Sequence, residues 1–425
     1  MKKHLLFIIA GIALFFLSRP AAAQESNLLH FMNTTPQALR SNPANFPDSM
    51  EMYFGVPFLA NISVGVGSPL SWSDIFIHRR DSLFFNRHLT STMPDDSHIS
   101  ADFNYDIFTF GKRFNNKHYI TIGLTAKGYG DVGLPKDIVN LLVNGNSAFT
   151  KKPLTLDASF FGIAYGELSV GYGYHINKNW TLSGRIKLLG GIASAYSESL
   201  KATLATNPDT YDLTGSTDIL FKTAKGNIFE NLGVGVDAGV YFKTPLQGLE
   251  FGLSFIDWGF IRWNADVTEH RGVKNNQSIS FTGITNITSG GDVMKTFLDT
   301  LKNQLDLEKR NGDAFRTVLP GRLFFSASYN FSPNDRVGLL FRTDVLQHFD
   351  RSGITIMYNR LVSDWFSVSA GNNFLFDLGA FNPGIAMNFS ASTFQFYIAL
   401  ENFRSFYIRD MDGIRLQLGM SIALY

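Results

Sequence analysis

From residue 51 onward the apolar residues fall on every second position, the signature of strands with one face in each environment. In 52–66, Met52, Phe54, Val56, Phe58, Ala60, Ile62, Val64 and Val66 share one parity, opposed by Tyr53, Gly55, Asn61, Ser63 and Gly65. In 231–242, Leu232, Val234, Val236, Ala238, Val240 and Phe242 oppose Asn231, Gly233, Gly235, Asp237, Gly239 and Tyr241. The chain ends the same way, with Ile414, Leu416, Leu418, Met420, Ile422 and Leu424 against Arg415, Gln417, Gly419, Ser421 and Ala423. The pattern predicts fourteen strands, over 51–67, 98–111, 117–130, 157–174, 179–198, 229–243, 248–262, 317–331, 335–347, 352–361, 364–376, 380–390, 393–403 and 411–425.

The connections alternate in length. Short turns are expected at Asn115-Asn116, Asn177-Lys178, Pro245–Gln247, Pro333-Asn334, Ser363-Asp364 and Ala391-Ser392, most of them carrying turn-forming residues. The intervening connections include four long ones, 68–97, 131–156, 199–228 and 263–316. An even strand number, short turns at one end, long loops at the other and strands of ten residues or more describe a transmembrane, antiparallel outer-membrane β-barrel. Closure satisfies every backbone group, as hydrocarbon requires. A β-sandwich also alternates, but its strands usually run about 5–6 residues. A barrel end signal points the same way: Gln417, Gly419, Ile422 and Leu424 precede the terminal Tyr425.

Residues 1–23 read as a secretory signal peptide. Lys2 and Lys3 precede thirteen uncharged residues, Leu5 to Leu17, and Ala21-Ala22-Ala23 places cleavage between Ala23 and Gln24. Thirteen residues fall short of the roughly 20 needed for a membrane helix. The expected organisation is therefore a leader (1–23), a polar, irregular N-terminal segment (24–50) that either dangles or folds into the barrel as a plug, and the barrel itself (51–425).

Two helices are expected in the outer loops. Leu134-Pro135 opens one over Lys136–Val143, stopped by Asn144-Gly145. Val293, Phe297, Leu301 and Leu305 recur every fourth residue and predict a second, amphipathic helix. Both suit loop packing or a cap over the barrel mouth. Residues 200–223 are expected to extend as a hairpin above the membrane.

Composition sharpens this picture. The 425 residues include 40 Phe, 38 Gly and no Cys; only 17% are charged, against about 25% in an average soluble domain. Mean hydropathy is +0.01, the average of two unlike faces. Without cysteine there is no disulfide, thiolate metal site or Cys nucleophile. A net charge of +1 gives no overall footprint for nucleic acid, and the leader's loss leaves 34 basic against 36 acidic residues.

The parity opposite the apolar face carries the charge. Asp102, Asp106, Glu167, Asp237, Glu250, Asp344 and Glu401 accompany Lys127, Arg185, Lys187, Arg322, Arg342 and Arg415. An Arg or Lys on the lipid face costs about 2–4 kcal/mol at the midplane, so these residues are assigned to the lumen. One-sided rings of charge would signal an ion-selective pore. A nearly balanced set suits an internal salt-bridge lattice, with a polar substrate path as the alternative.

Candidate catalysis is sparse. Histidines such as His30, His98, His175 and His348 fall in loops or at strand ends, and none has the H-x-x-x-H spacing of a metal pair. Gly233-Val234-Gly235 lies within an alternating strand, so a dinucleotide reading fails on context. There is no G-x-S-x-G elbow and no Walker loop. The reading is a non-enzyme, without metal or cofactor.

Ser41-Asn42-Pro43-Ala44, just before the first strand, resembles the Asn-Pro-Ala motif of the FadL-type barrels, a superfamily of hydrophobic-compound transporters and of PorV-type barrels of type IX secretion. Fourteen strands is also the FadL-type number. Further along, Gly166-Glu167 to Gly173, Leu182 to Gly190, Gly235 to Gly239, Ser254 to Gly259 with Trp263, and Thr317 to Pro320 are similar to the segments of an uncharacterised family of Bacteroidota outer-membrane barrels. The resemblance implies an outer-membrane barrel in contact with lipid. By FadL analogy it would pass a small hydrophobic molecule; by PorV analogy it would be a scaffold or secretion accessory that binds a secreted or periplasmic protein; a purely structural barrel is the third possibility. A lateral opening would be sought at Gly171, Gly173 and Gly190-Gly191.

Overall fold

The computed structural model describes residues 27–32, 34–68, 71, 76–79, 82–85, 93, 96–144, 149–209, 213–279, 307–376, 381–403 and 413–425. The expected cleavage site at Ala23 and Gln24 and the expected helix of Val293, Phe297, Leu301 and Leu305 lie outside these residues.

Alternation over this length needs a surface that is apolar outside and polar inside, and the chain meets it by closing a fourteen-stranded antiparallel barrel. Several strands are interrupted. They are β1 (Met52–Gly55 and Asn61–Gly67), β2 (Asp96–Phe114), β3 (His118–Pro135), β4 (Leu154–Asp157 and Ser159–His175) and β5 (Trp180–Thr206). Next come β6 (Leu213–Lys225 and Asn231–Lys243), β7 (Leu249–Trp263 and Thr268–Ile279), β8 (Glu308–Asn311, Phe315–Val318 and Gly321–Asn330), β9 (Asp335–Val345) and β10 (Asp350–Ser363). The last four are β11 (Phe366–Leu375), β12 (Pro383–Ala391), β13 (Phe394–Glu401) and β14 (Gly413–Leu424). Closure comes from β1, which pairs with β2 on one side and β14 on the other (Val64↔Phe103, Val64↔Leu416).

All six expected short turns join consecutive strands at one end. The tightest, Asn115-Asn116, has both residues at positive φ (50° and 56°), the backbone a two-residue hairpin requires and Asn tolerates. Aromatic rings gather at this end on the outer surface: Trp180 stacks on Phe242, and Trp365, Phe366, Phe389 and Phe396 form a continuous row. Such girdles mark a membrane interface. Between the ends the outward residues are exposed Leu, Ile, Val and Phe, among them Val170, Ile186, Leu188, Val236 and Ile356.

At the other end β5 and β6 meet at Thr206↔Leu213, the expected hairpin, and β7 follows β6 to Leu213↔Ile279, so part of the connection expected at 263–316 is strand. Helix α1 (Lys136–Asn144) follows Pro135 as expected.

The alternation is not unbroken, and this corrects the sequence reading of β1. Val56 to Ala60 leave the strand: Phe58 sits at φ 65°, Leu59 N–H donates to Val56 O (2.9 Å), and Ala60 turns inward, away from the parity it shares with Ile62 in the sequence. Register shifts also occur at Asp106/Phe108, Ala164/Tyr165, Leu220/Phe221 and Val236/Ala238. Each extra residue flips the inward parity beyond it.

Candidate functional site

The barrel interior is filled by residues 27–50 and by ionic side chains from the wall. Two 3₁₀ turns shape the inner segment, Leu28–Phe31 and Pro36–Arg40. The first buries Leu28, Leu29, Phe31 and Met32 against Ile256, Phe324, Leu340, Met357 and Tyr397. Its opening amides, those of Asn27 and Leu28, donate to the Glu401 carboxylate at 3.0 and 3.2 Å. The second ends in Arg40, whose Nη1 reaches both oxygens of Asp106 at 2.6 and 2.7 Å.

His30 is buried between these turns. Burial, then the nearby Arg336, pushes its pKa down to about 3, so the ring is neutral. Ser41 Oγ donates to Ala38 O and accepts from His30 Nδ1 at 2.9 Å, which leaves the proton on Nδ1.

The Asn42-Pro43-Ala44 motif docks this segment onto the wall. Asn42 Oδ1 accepts from Ala44 N–H (2.9 Å) and its Nδ2 donates to Val240 O (3.2 Å); Tyr119 Oη donates to Pro43 O (2.6 Å), and Ser254 Oγ donates to Ser41 O (2.5 Å). Gly239 makes the approach possible, because a Cβ there would overlap Asn42 Oδ1 and press on Pro43. Gly239→Val should therefore unseat the segment while leaving the strand pairing intact. The expected readout is faster proteolysis at residues 27–50 with unchanged heat-modifiable gel mobility; unchanged proteolysis would refute this anchoring.

The charged wall residues converge on Asp257. Its carboxylate accepts from Lys127 Nζ (2.9 Å), from Lys187 Nζ and from Arg322 Nη2. Lys127 also reaches Glu167 (2.8 Å), and Lys187 also reaches Asp237 (2.7 Å). Asp237 in turn binds Arg185 (3.1 Å) and accepts the Asp257 backbone N–H (2.7 Å). Arg185 closes the layer by donating to Leu39 O of the inner segment at 3.1 Å.

The remaining predicted positions pair nearby. Arg342 binds Asp344 at 2.6 and 2.9 Å, and Arg336 and Tyr241 share Glu250. Arg415 lies opposite Glu401 in the ladder but binds Asp102 across β1, where a Cβ at Gly65 would overlap its guanidinium. Thus Asp102, Asp106, Lys127, Glu167, Arg185, Lys187, Asp237, Arg322, Arg342, Asp344, Glu401 and Arg415 all meet an opposite charge or a polar partner inside the barrel.

Sequence reasoning missed Asp257, Arg40 and Arg336. Asp257 falls on the lipid parity of its strand; the bulge opposite Asp237, with Asp257 at φ 58°, turns it inward directly after Ile256. An Asp, which tolerates this conformation, beside Trp258-Gly259 was the available signal.

Two small cavities flank this layer. One of about 70 Å³ lies on the turn side, lined by Arg40, Asp106, Thr125, Glu167 and Lys187; one of about 60 Å³ lies on the loop side, lined by Asp102, Tyr129, Tyr165, Arg342 and Arg351. Each has room for a few waters. Among the described residues no cluster of His, Asp or Glu could hold a metal ion.

Above the layer, one inner wall turns apolar. Phe161, Ile163, Leu189, Ile261, Phe315 and Leu319 surround Trp263, which is fully buried and donates Nε1–H to Thr317 Oγ1 (2.8 Å). Here the wall itself is interrupted: β6 at 226–230, β7 at 264–267 and β8 at 312–314. Asn231 spans the break. Its Oδ1 accepts from the Asn264 and Ala265 N–H groups (2.8 and 3.0 Å), and its Nδ2 donates to Gly191 O (3.4 Å). Of the glycines singled out from sequence, Gly190-Gly191 border this break, whereas Gly171 and Gly173 sit in continuous ladders with β3 and β5.

A family model, "Family of unknown function (DUF5723)", matches residues 43–401. The chain belongs to that family. The match takes in the Asn42-Pro43-Ala44 motif from its proline onward, every lattice residue except Arg40 and Arg415, and the Asn231 break. No curated protein matches this DUF5723 member. Solved structures similar to it include the Pseudomonas putida toluene transporter TodX (9% identity, TM-score 0.46, covering 92% of this chain and 95% of that one). A Pseudomonas aeruginosa FadL homologue is similar at 9% identity and TM-score 0.48 (96% and 100% covered), and the Ralstonia pickettii toluene transporter TbuX at 12% and 0.44 (92% and 93% covered).

Proposed function

We propose that this DUF5723 barrel passes a small hydrophobic molecule through the outer membrane, with residues 24–50 as its plug, after export and cleavage between Ala23 and Gln24. It acts as a passage rather than an enzyme. The observation that carries this reading is the aligned interruption of β6, β7 and β8 beside the apolar cluster around Trp263. A break there offers an apolar solute a way between the wall and the lumen without crossing the charged layer, where desolvated ions would exclude it.

Asn231 is the clamp on that route. Its side chain satisfies backbone groups of β5 and of the interruption in β7, so Asn231→Ala loosens both at once. Uptake of radiolabelled toluene and dodecanoate by cells carrying the barrel should rise severalfold with Asn231→Ala and fall with Trp263→Asp. Uptake equal to that of cells lacking the barrel, in wild type and Asn231→Ala alike, would sink the passage reading.

A second reading rests on the filled lumen. A wall-to-wall ionic layer between cavities of about 60–70 Å³ also suits a scaffold that binds a secreted or periplasmic protein and conducts nothing. Failure of uptake combined with stoichiometric co-purification of a protein in mild detergent would favour it.

A further inference from the structure

The four-residue connection between β9 and β10 folds inward over the mouth of the barrel. It comes from the side opposite β2–β5 in the strand order, yet it touches that far wall. Phe349 stacks on His98 of β2, ring centroids 3.8 Å apart. His348 stacks on Tyr196 of β5 and meets Phe161 of β4 edge-on. Gln347 Oε1 accepts the Val318 N–H of β8 (3.3 Å). The connection thus lies as a strap above the loop-side cavity, which Leu346 helps to line.

Its polar anchor is Asp131 of β3, whose side chain is fully buried. His98 Nδ1 stands 3.6 Å and His348 Nδ1 3.9 Å from the same oxygen, Oδ1. His348 Nε2 lies 3.3 Å from Ser197 O, an acceptor, so Nε2 carries a proton. A neutral ring would then turn the Nδ1 lone pair toward a carboxylate, which also only accepts. An imidazolium presents N–H to both acceptors and neutralises the buried charge. Docking and protonation therefore go together.

We propose that residues 346–349 are a proton-operated strap across the outer mouth, docked when His348 is an imidazolium and released when it loses that proton to solvent. The inference adds regulation to the passage proposed above, and its biological consequence rests on that reading.

Among the described residues, the other charged groups facing this site include Lys136, Asp137 and Asp157, which line the adjoining outer cavity of about 550 Å³, and Arg351, whose guanidinium lies 5.1 Å over the Phe349 ring. Of the groups at this site, the His348 imidazole is the one on whose proton the docked geometry depends. The Asp131 carboxylate, helped by the Ser197 carbonyl, holds the His348 pKa above the ordinary value of 6.5 against the opposing effect of burial. A raised folded-state pKa stabilises docking fully below that ordinary value and loses it as pH rises through the raised one.

The absence of cysteine allows a single nitroxide label at Gln347→Cys in the full-length barrel. Its electron paramagnetic resonance line shape should be immobilised near pH 5.5 and mobile near pH 8.5, with a severalfold rise in the mobile fraction and a midpoint above the ordinary histidine value. Asp131→Asn in the same background should abolish the pH dependence. A line shape constant over this range in the otherwise wild-type chain, or unchanged dependence in Asp131→Asn, would overturn the proposal. A mobile strap on a barrel that takes up neither toluene nor dodecanoate would sink the passage and keep the strap; uptake with a rigid strap would do the reverse.

Discussion

Asp257→Ala is expected to destabilise the barrel by about 3–5 kcal/mol, the usual cost of removing one partner from a buried ionic group. Asp257 joins Lys127, Lys187 and Arg322, and its backbone amide ties the bulge to Asp237. Without it, Lys127 and Lys187 retain Glu167 and Asp237, but three cations crowd a volume with one fewer negative charge. Asp257→Asn separates the charge from the bulge. Asn accepts φ near 58° as well as Asp does, so a comparable loss in that variant assigns the effect to the charge. Guanidinium unfolding followed by heat-modifiable gel mobility gives the comparison. A loss below about 1 kcal/mol in both variants, within the range of a surface ion pair, would show that the layer contributes little.

Deletion of residues 27–50 should convert a closed barrel into an open one. The segment supplies Arg40 to Asp106, two backbone amides to Glu401 and the Leu39 carbonyl to Arg185. It also fills the turn-side half of the lumen with Leu28, Leu29, Phe31, Met32 and Phe46. The strand ladders do not depend on it, since β1 pairs with β2 and β14 directly. Planar bilayers should show discrete conductance steps for the deleted form and none for the full chain. The loss of Arg40 takes away the cation facing Asp106, so the opened lumen should lean toward cations. A deleted barrel that folds, by gel mobility, yet conducts nothing would mean that the charged layer alone seals the lumen.

The two effects test different structures. Asp257 belongs to a layer built by the wall, whereas residues 27–50 rest on that wall from inside. The Gly239→Val variant bears only on the second, so its resistance to unfolding should stay close to that of the wild type.

Much of this was legible from the order of residues. Period-two alternation finds all fourteen strands, because a chain that meets lipid on one side and water or polar groups on the other has no other economical pattern, but β7 and β8 run on through Thr268–Ile279 and Glu308–Asn311, inside the connection expected at 263–316. The short turns followed from Asn, Pro and Ser at the strand ends, and Pro135 announced α1. The inward charges were legible as a set, since charge on the lipid face is too costly. What the linear pattern could not supply was which charge meets which. Arg415 lies opposite Glu401 yet binds Asp102, because Gly65 opens a path over β1. Asp257 and Ala60 sit on the wrong parity until a bulge and a turn move them. The fate of the N-terminal segment and the strap carrying His348 depend on contacts between residues up to hundreds of positions apart, and the break stitched by Asn231 on residues 33 to 40 positions away. Alternation is a local property, set by the two environments of a strand; partner choice, the seating of residues 27–50 and the placement of residues 346–349 arise only when closure brings opposite walls within hydrogen-bonding distance.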